Sequence, residues 1–200
     1  CITVLFVIAA MLGVMAATVH ARNVGATLDR LWGADITGGE LLSVVAPEAL
    51  SLFPRGVRDA PVVWEGDEFC IAWIGSDTAD PGYQEAPQRG VFDIYINWTS
   101  KLYVTGRDVQ FGSSTTVVWP PFFRLPVMLV YSQLLENGYV IDACSDIAYN
   151  VWRITVNKQH HVPGGANYQA MGYHYFETPV GYYPPAALLI SHSVLRWIDK

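Results

Sequence analysis

Three histidines stand near one another late in the chain: His160, His161 and His174, within "KQHHVPGGANYQAMGYHYF". Imidazoles in that number can ligate a transition metal. The residues between them are mainly Gly, Pro, Tyr and Asn without a regular period, whereas metal ligands rest on fixed elements. They therefore read as surface or partner-contacting histidines, and His192 as the surface of a terminal helix. Carboxylates gather as Glu65, Asp67 and Glu68 in "WEGDEF". Two acids can divide general-acid and general-base work, but their place just before an apolar run reads as a solvated turn. Ser100, Ser113 and Ser132 are possible nucleophiles without a His or Asp beside them in sequence. A triad is a spatial constellation rather than a sequence pattern, so that absence alone does not decide the matter. There is no GxSxG, HExxH, phosphate-binding loop or dinucleotide fingerprint. The reading is a chain with no assigned catalytic residue, metal or cofactor.

The chain has three cysteines, Cys1, Cys70 and Cys144, and no CxxC or Cys/His ligand spacing. A zinc or iron–sulfur centre is thereby disfavoured. Cys70 and Cys144 both fall in expected strands. They read either as a disulfide across the sheet, if the domain faces an oxidising compartment, or as two buried thiols. Lipidation of Cys1 is disfavoured by the apolar residues after it, where a lipoprotein linker is polar. "NWT" at Asn97–Thr99 matches the glycosylation sequon, used only in a eukaryotic secretory setting.

These groups need elements to position them. From Ile2 to Val19 there is no charged residue. That stretch as a helix spans roughly 27 Å, close to a bilayer core. A single-pass transmembrane helix with its extension is expected over 1–34, anchored by Ile2, Leu5, Phe6, Ile8, Leu12 and Met15. A signal peptide cut after Ala21 competes with it, because Val19-His20-Ala21 resembles a cleavage site. Residues 35–59 read as a helical linker, with Thr37 as a cap and Pro47 as a breaker. Residues 60–158 read as an α+β domain, a small antiparallel sheet with one helix packed across it. Its strands include "VFDIYINWT", which alternates in period two, and "NVWRITVNK". Its helix is expected over "RLPVMLVYSQLLENG", ended by Gly138 in a left-handed conformation. Residues 159–200 read as an extended aromatic, Pro/Gly-rich arm followed by a terminal helix.

Composition narrows the function class. Hydrophobic residues make up 52% of the 200 and charged residues 15%, against about 25% charged in a typical soluble domain. Net charge is −6 without a basic run, which excludes a nucleic-acid partner. A surface poor in charge and rich in aromatics is one that partners cover. Trp119, Phe122 and Phe123 in "WPPFFRLP", with Tyr173, Tyr175, Tyr182, Tyr183 and Trp197, are the expected partner contacts. The chain thus reads as a non-catalytic accessory or scaffolding subunit of a membrane assembly. Its soluble domain would sit on the extracytoplasmic side, with other membrane-protein subunits and the bilayer as partners. A pilin-like or envelope-filament or secretion-system subunit is one alternative, and a secreted or lipoprotein binding module another.

Overall fold

Asn23 starts the first described element by accepting a hydrogen bond from Ala26 N at 2.9 Å. This N-cap satisfies an otherwise orphaned donor of helix α1, Val24–Leu31. The computed structural model describes residues 23–65, 68–73, 94–179, 182 and 186–200. Thr37 and Glu40 form a capping box that opens α2, Gly38–Val45. Pro47 then diverts the chain into a 3₁₀ turn, Pro47–Leu52. A short α3, Arg55–Asp59, follows.

Every regular element described after α3 is a strand. One sheet has the order β1–β2–β9–β8–β5–β6, with β10 also on β8. Its strands are β1 Val63–Glu65, β2 Glu68–Trp73, β5 Leu125–Glu136, β6 Tyr139–Val151, β8 Ala166–Glu177, β9 Ala186–His192 and β10 Arg196–Ile198. The second sheet has the order β3–β4–β7: Tyr95–Thr105, Asp108–Trp119 and Arg153–His161. All pairings are antiparallel. The chain changes sheet between β2 and β3, β4 and β5, β6 and β7, and β7 and β8, so the two sheets form one sandwich. The helices cover the other face of the larger sheet. Leu41, Leu42 and Val45 of α2 share a core with Leu129, Tyr173 and Leu188 of β5, β8 and β9.

This architecture replaces the expected α+β domain. The residues expected to be its packed helix form β5, because that strand is buried on both faces. Leu129, Tyr131 and Leu135 face the helices, while Met128, Val130 and Leu134 face the second sheet. A strand apolar on both sides shows no period-two alternation, so periodicity cannot separate it from a helix. Gly138 does adopt a left-handed φ of 85°, but beside Asn137 at φ 49° in the β5–β6 turn. Asn-Gly is the pair a two-residue hairpin turn favours. The expected arm is β8, the interior strand between β5 and β9, and the expected terminal helix is β9 and β10.

The N-terminal expectation needs correction too. Among the described residues, no helix is long and apolar enough to cross a membrane. The amphipathic stretch expected to extend an anchor is a separate eight-residue helix with its own cap. Ile2, Leu5, Phe6, Ile8, Leu12 and Met15, like Cys1, lie outside the described residues.

Candidate functional site

Ser132 on β5, with Gly172 and His174 on β8, lies on the side of the large sheet that faces the second sheet. Antiparallel register sets Ser132 opposite Gly172, and Gly172 opposite Ser191 of β9. On the facing sheet, Ser100 of β3 lies opposite Ser113 of β4. Packing the sheets joins these groups through hydrogen bonds. Thr115 Oγ1 is 2.9 Å from His174 Nδ1, and His174 Nε2 is 2.7 Å from Ser191 Oγ. Ser191 Oγ is 2.8 Å from Ser100 Oγ, which is 2.7 Å from Ser113 Oγ. Ser113 donates to Ser132 Oγ at 2.9 Å. Thr115, Ser132 and His174 are fully buried. Burial pushes the His174 imidazole down to about 3 from 6.5, because no solvent is there to carry its charge.

A hydrogen count orients this chain. Each hydroxyl owns one hydrogen, and a neutral imidazole has one donor and one acceptor nitrogen. Ser113 spends its hydrogen on Ser132, so the short Ser100–Ser113 contact takes the hydrogen of Ser100. Ser191 must then donate to Ser100. His174 Nε2–H donates to Ser191, and Thr115 donates to Nδ1. Ser100 also lies 3.3 Å from the Ser191 carbonyl, but giving its hydrogen there would leave the 2.7 Å contact empty. In this orientation His174 Nε2 carries a proton, so it does not withdraw one from Ser191, as activation of a serine nucleophile requires. The arrangement ties the two sheets together.

Gly172 makes the chain possible. A Cβ there would lie 2.3 Å from Ser113 Oγ, 2.5 Å from Ser100 Oγ and 2.7 Å from His174 Nε2. Sequence reasoning singled out Ser100, Ser113 and Ser132 but missed Thr115, Ser191 and Gly172. His174, expected on the surface, is a core residue. The run of hydroxyl residues Ser113–Thr116 in β4, with Val109, Phe111 and Val117 on the same face as Ser113 and Thr115, is a local signal of a polar seam inside the sandwich.

The other expected site residues fall elsewhere. Tyr173 and Tyr175 are fully buried against the helical layer, so they are core rather than partner contacts. Cys70 does not bridge Cys144. In register, Cys70 opposes Leu189, which opposes His174, then Val130, then Asp146. Four strand spacings of about 4.8 Å separate β2 from β6, well beyond disulfide reach. Cys144 is a free thiol that burial raises to about 11. His160 Nδ1 and Lys158 Nζ meet Asp142 at 2.8 and 2.6 Å. Burial raises the Asp142 carboxyl, but these hydrogen bonds and one from Ala143 N outweigh it and hold the group below its usual range. His161 meets Asp108 at 2.9 Å. No group of three metal-ligating side chains converges among the described residues. The backbones of Glu65 and Glu68 pair across the β1–β2 hairpin, while Asp67 and Tyr183 lie outside the described residues.

One end of the sandwich collects aromatic side chains from the β4–β5, β6–β7 and β8–β9 connections. Phe122 packs edge-on against Trp152 at 5.4 Å, and Phe123 against Tyr182 at 5.0 Å. Trp119 is opposite Tyr95 at the ends of β4 and β3. Trp119 is 57% exposed and Phe122 71%. Trp197, on β10, is likewise exposed at 60%.

No family model matches the chain, and no curated protein matches it. Among solved structures it is similar to CsgH of R. palustris, whose solution structure aligns over 49% of this chain and 90% of that chain. Identity is 16% and the TM-score 0.30, a likeness that carries no argument for fold or function.

Proposed function

We propose that the chain is a non-catalytic accessory or scaffolding protein of the cell envelope, acting by contact on the extracytoplasmic side. The observation that carries this reading is the aromatic end, where Trp119 at the end of β4 and Phe122 on the loop to β5 stand exposed. Exposed aromatics on a rigid scaffold are the residues that anchor protein interfaces. The reading is supported by the low charge of the chain and by its uncharged opening stretch. It is further supported by the hydrogen-bonded direction of the interior chain, which leaves Ser191 without a base.

The test is mild extraction followed by native size separation and mass spectrometry of co-migrating chains. The expected result is a defined assembly well above 22.1 kDa. The double variant Trp119→Ser, Phe122→Ser is expected to leave that assembly while keeping its thermal midpoint. Migration of the unaltered chain alone at its own mass, or an assembly indifferent to the double variant, would overturn the reading.

A further inference from the structure

β3 is an edge strand of 11 residues that pairs only with β4 among the described residues. Its other edge carries the backbone N–H and C=O groups that a further strand would use. The usual devices that blunt an edge are scarce here. β3 has no Pro, one Lys, and a single register shift at its first residue.

A groove follows this edge. One cavity of about 450 Å³ lies between Ile96–Ser100 of β3 and Ile190–His192 of β9. A second, of about 390 Å³, lies between Leu102–Val104 of β3 and Arg196–Trp197 of β10. β9 and β10 pair with consecutive parts of β8, at Met171 and Tyr168, so they form one wall. The groove therefore tracks β3 from Ile96 to Val104, about 30 Å at roughly 3.3 Å per residue. On the β9 side, the β2 ladder ends at Cys70↔Leu189, so Ile190–His192 has no partner there among the described residues.

The geometry points to this groove as an acceptor for an extended segment of a partner protein, added as a strand to the free edge of β3. This inference deepens the proposed role and rests on it. Strand addition draws affinity from main-chain hydrogen bonds and specificity from pockets for alternate side chains. The cavity beside β9 has no Asp, Glu, Lys or Arg in its lining, whereas Arg196 lines the one beside β10. The occupant is accordingly a segment with uncharged, alternately apolar residues along β9 and a carboxylate toward β10. A second copy fits less well. Antiparallel pairing of two β3 edges about Ser100 would bring the two Lys101 side chains together diagonally, and like charges so placed repel.

The test uses labelled synthetic peptides matched to the 11 residues of β3. They alternate Val and Thr and carry one Glu at a varied position. Each has a control N-methylated on alternate backbone nitrogens, and binding to the whole chain is read by fluorescence anisotropy. The expected result is binding that prefers Glu toward one end and weakens at least tenfold on methylation. Val104→Glu and Arg196→Glu should each weaken it at least tenfold as well, and amide exchange along β3 should slow when the peptide is bound. Equal binding by the methylated controls, no panel member binding below about 1 mM, or slow exchange along the outer β3 edge in the free chain would overturn the inference. A dimer of the chain abolished by Val104→Glu would assign the groove to a second copy and also overturn it. The Trp119→Ser, Phe122→Ser variant should bind these peptides unchanged. Failure of the aromatic end and failure of the groove are thus separable.

Discussion

The two faces of β5 and β8 solve the same problem with different chemistry. Toward the second sheet, Ser132, Gly172 and His174 take part in a chain of small neutral groups that includes no carboxylate. Toward the helices, the intervening residues Tyr131, Gln133 and Tyr173 gather around Glu48 of the 3₁₀ turn. Tyr131 donates to Glu48 Oε1 at 2.5 Å, Gln133 Nε2 to the same oxygen at 3.1 Å, and Tyr173 to Gln133 Oε1 at 3.2 Å. Gln133 also donates to Val45 O at 3.1 Å, which ties the helices down. Long side chains bridge sheet to helix. Serine-sized groups bridge sheet to sheet only because Gly172 leaves room. The lesson is that one strand can hold two independent polar seams, one tolerant of side-chain length and one not.

Gly172→Ala should break the contrast most severely. The added methyl meets three polar atoms well inside contact distance. A loss of about 3 kcal/mol is expected in urea unfolding, from overpacking together with unmade buried hydrogen bonds. A loss below about 1 kcal/mol would mean that the inter-sheet chain rearranges freely.

Acid should separate the faces next. His174 is depressed in the fold to about 3, against 6.5 when exposed. Between those values the unfolded chain binds the proton and the folded chain does not. The contribution of His174 is therefore fully present above about pH 6.5 and is lost as pH falls toward 3. The slope is on the order of 1.4 kcal/mol per pH unit. Thr115, Ser191 and the neighbouring serines offer no carboxylate to offset the charge. His174→Gln should flatten stability over that window relative to the unaltered chain. Parallel curves would show that His174 does not drive the acid response.

The smallest effects test independence. Tyr131→Phe should cost about 1.5 kcal/mol on the helical side, and Ser132→Ala about 1 kcal/mol on the inter-sheet side. Although adjacent in sequence, Tyr131 bonds to Glu48 and Ser132 to Ser113, on opposite faces of β5. Their double variant should be additive within about 0.5 kcal/mol. A larger coupling would mean that β5 shifts as a unit and the seams are one.

Much of the framework was legible locally. Thr37 announces the cap of α2, Pro47 the break after it, and the alternation of "VFDIYINWT" a strand, found in the described residues from Tyr95 onward. The interior strands were not. β5 and β8 are buried on both faces, and that erases the alternation by which a strand is read. The same effect put Tyr173 and Tyr175 in an imagined arm and His174 on an imagined surface.

By itself the sequence determined the cap at Thr37, the break at Pro47, the left-handed conformation of Gly138 and a net charge of −6. Those are properties of neighbouring residues or of total charge. Only the tertiary structure decided that Ser100, Ser113, Thr115, Ser132, His174 and Ser191 form one chain, and that β3 presents a groove. The chain crosses two sheets and five strands, and the groove exists only where one sheet ends beside the other. No local pattern encodes such a meeting, because the residues involved are held together by sheet packing and not by their spacing along the chain.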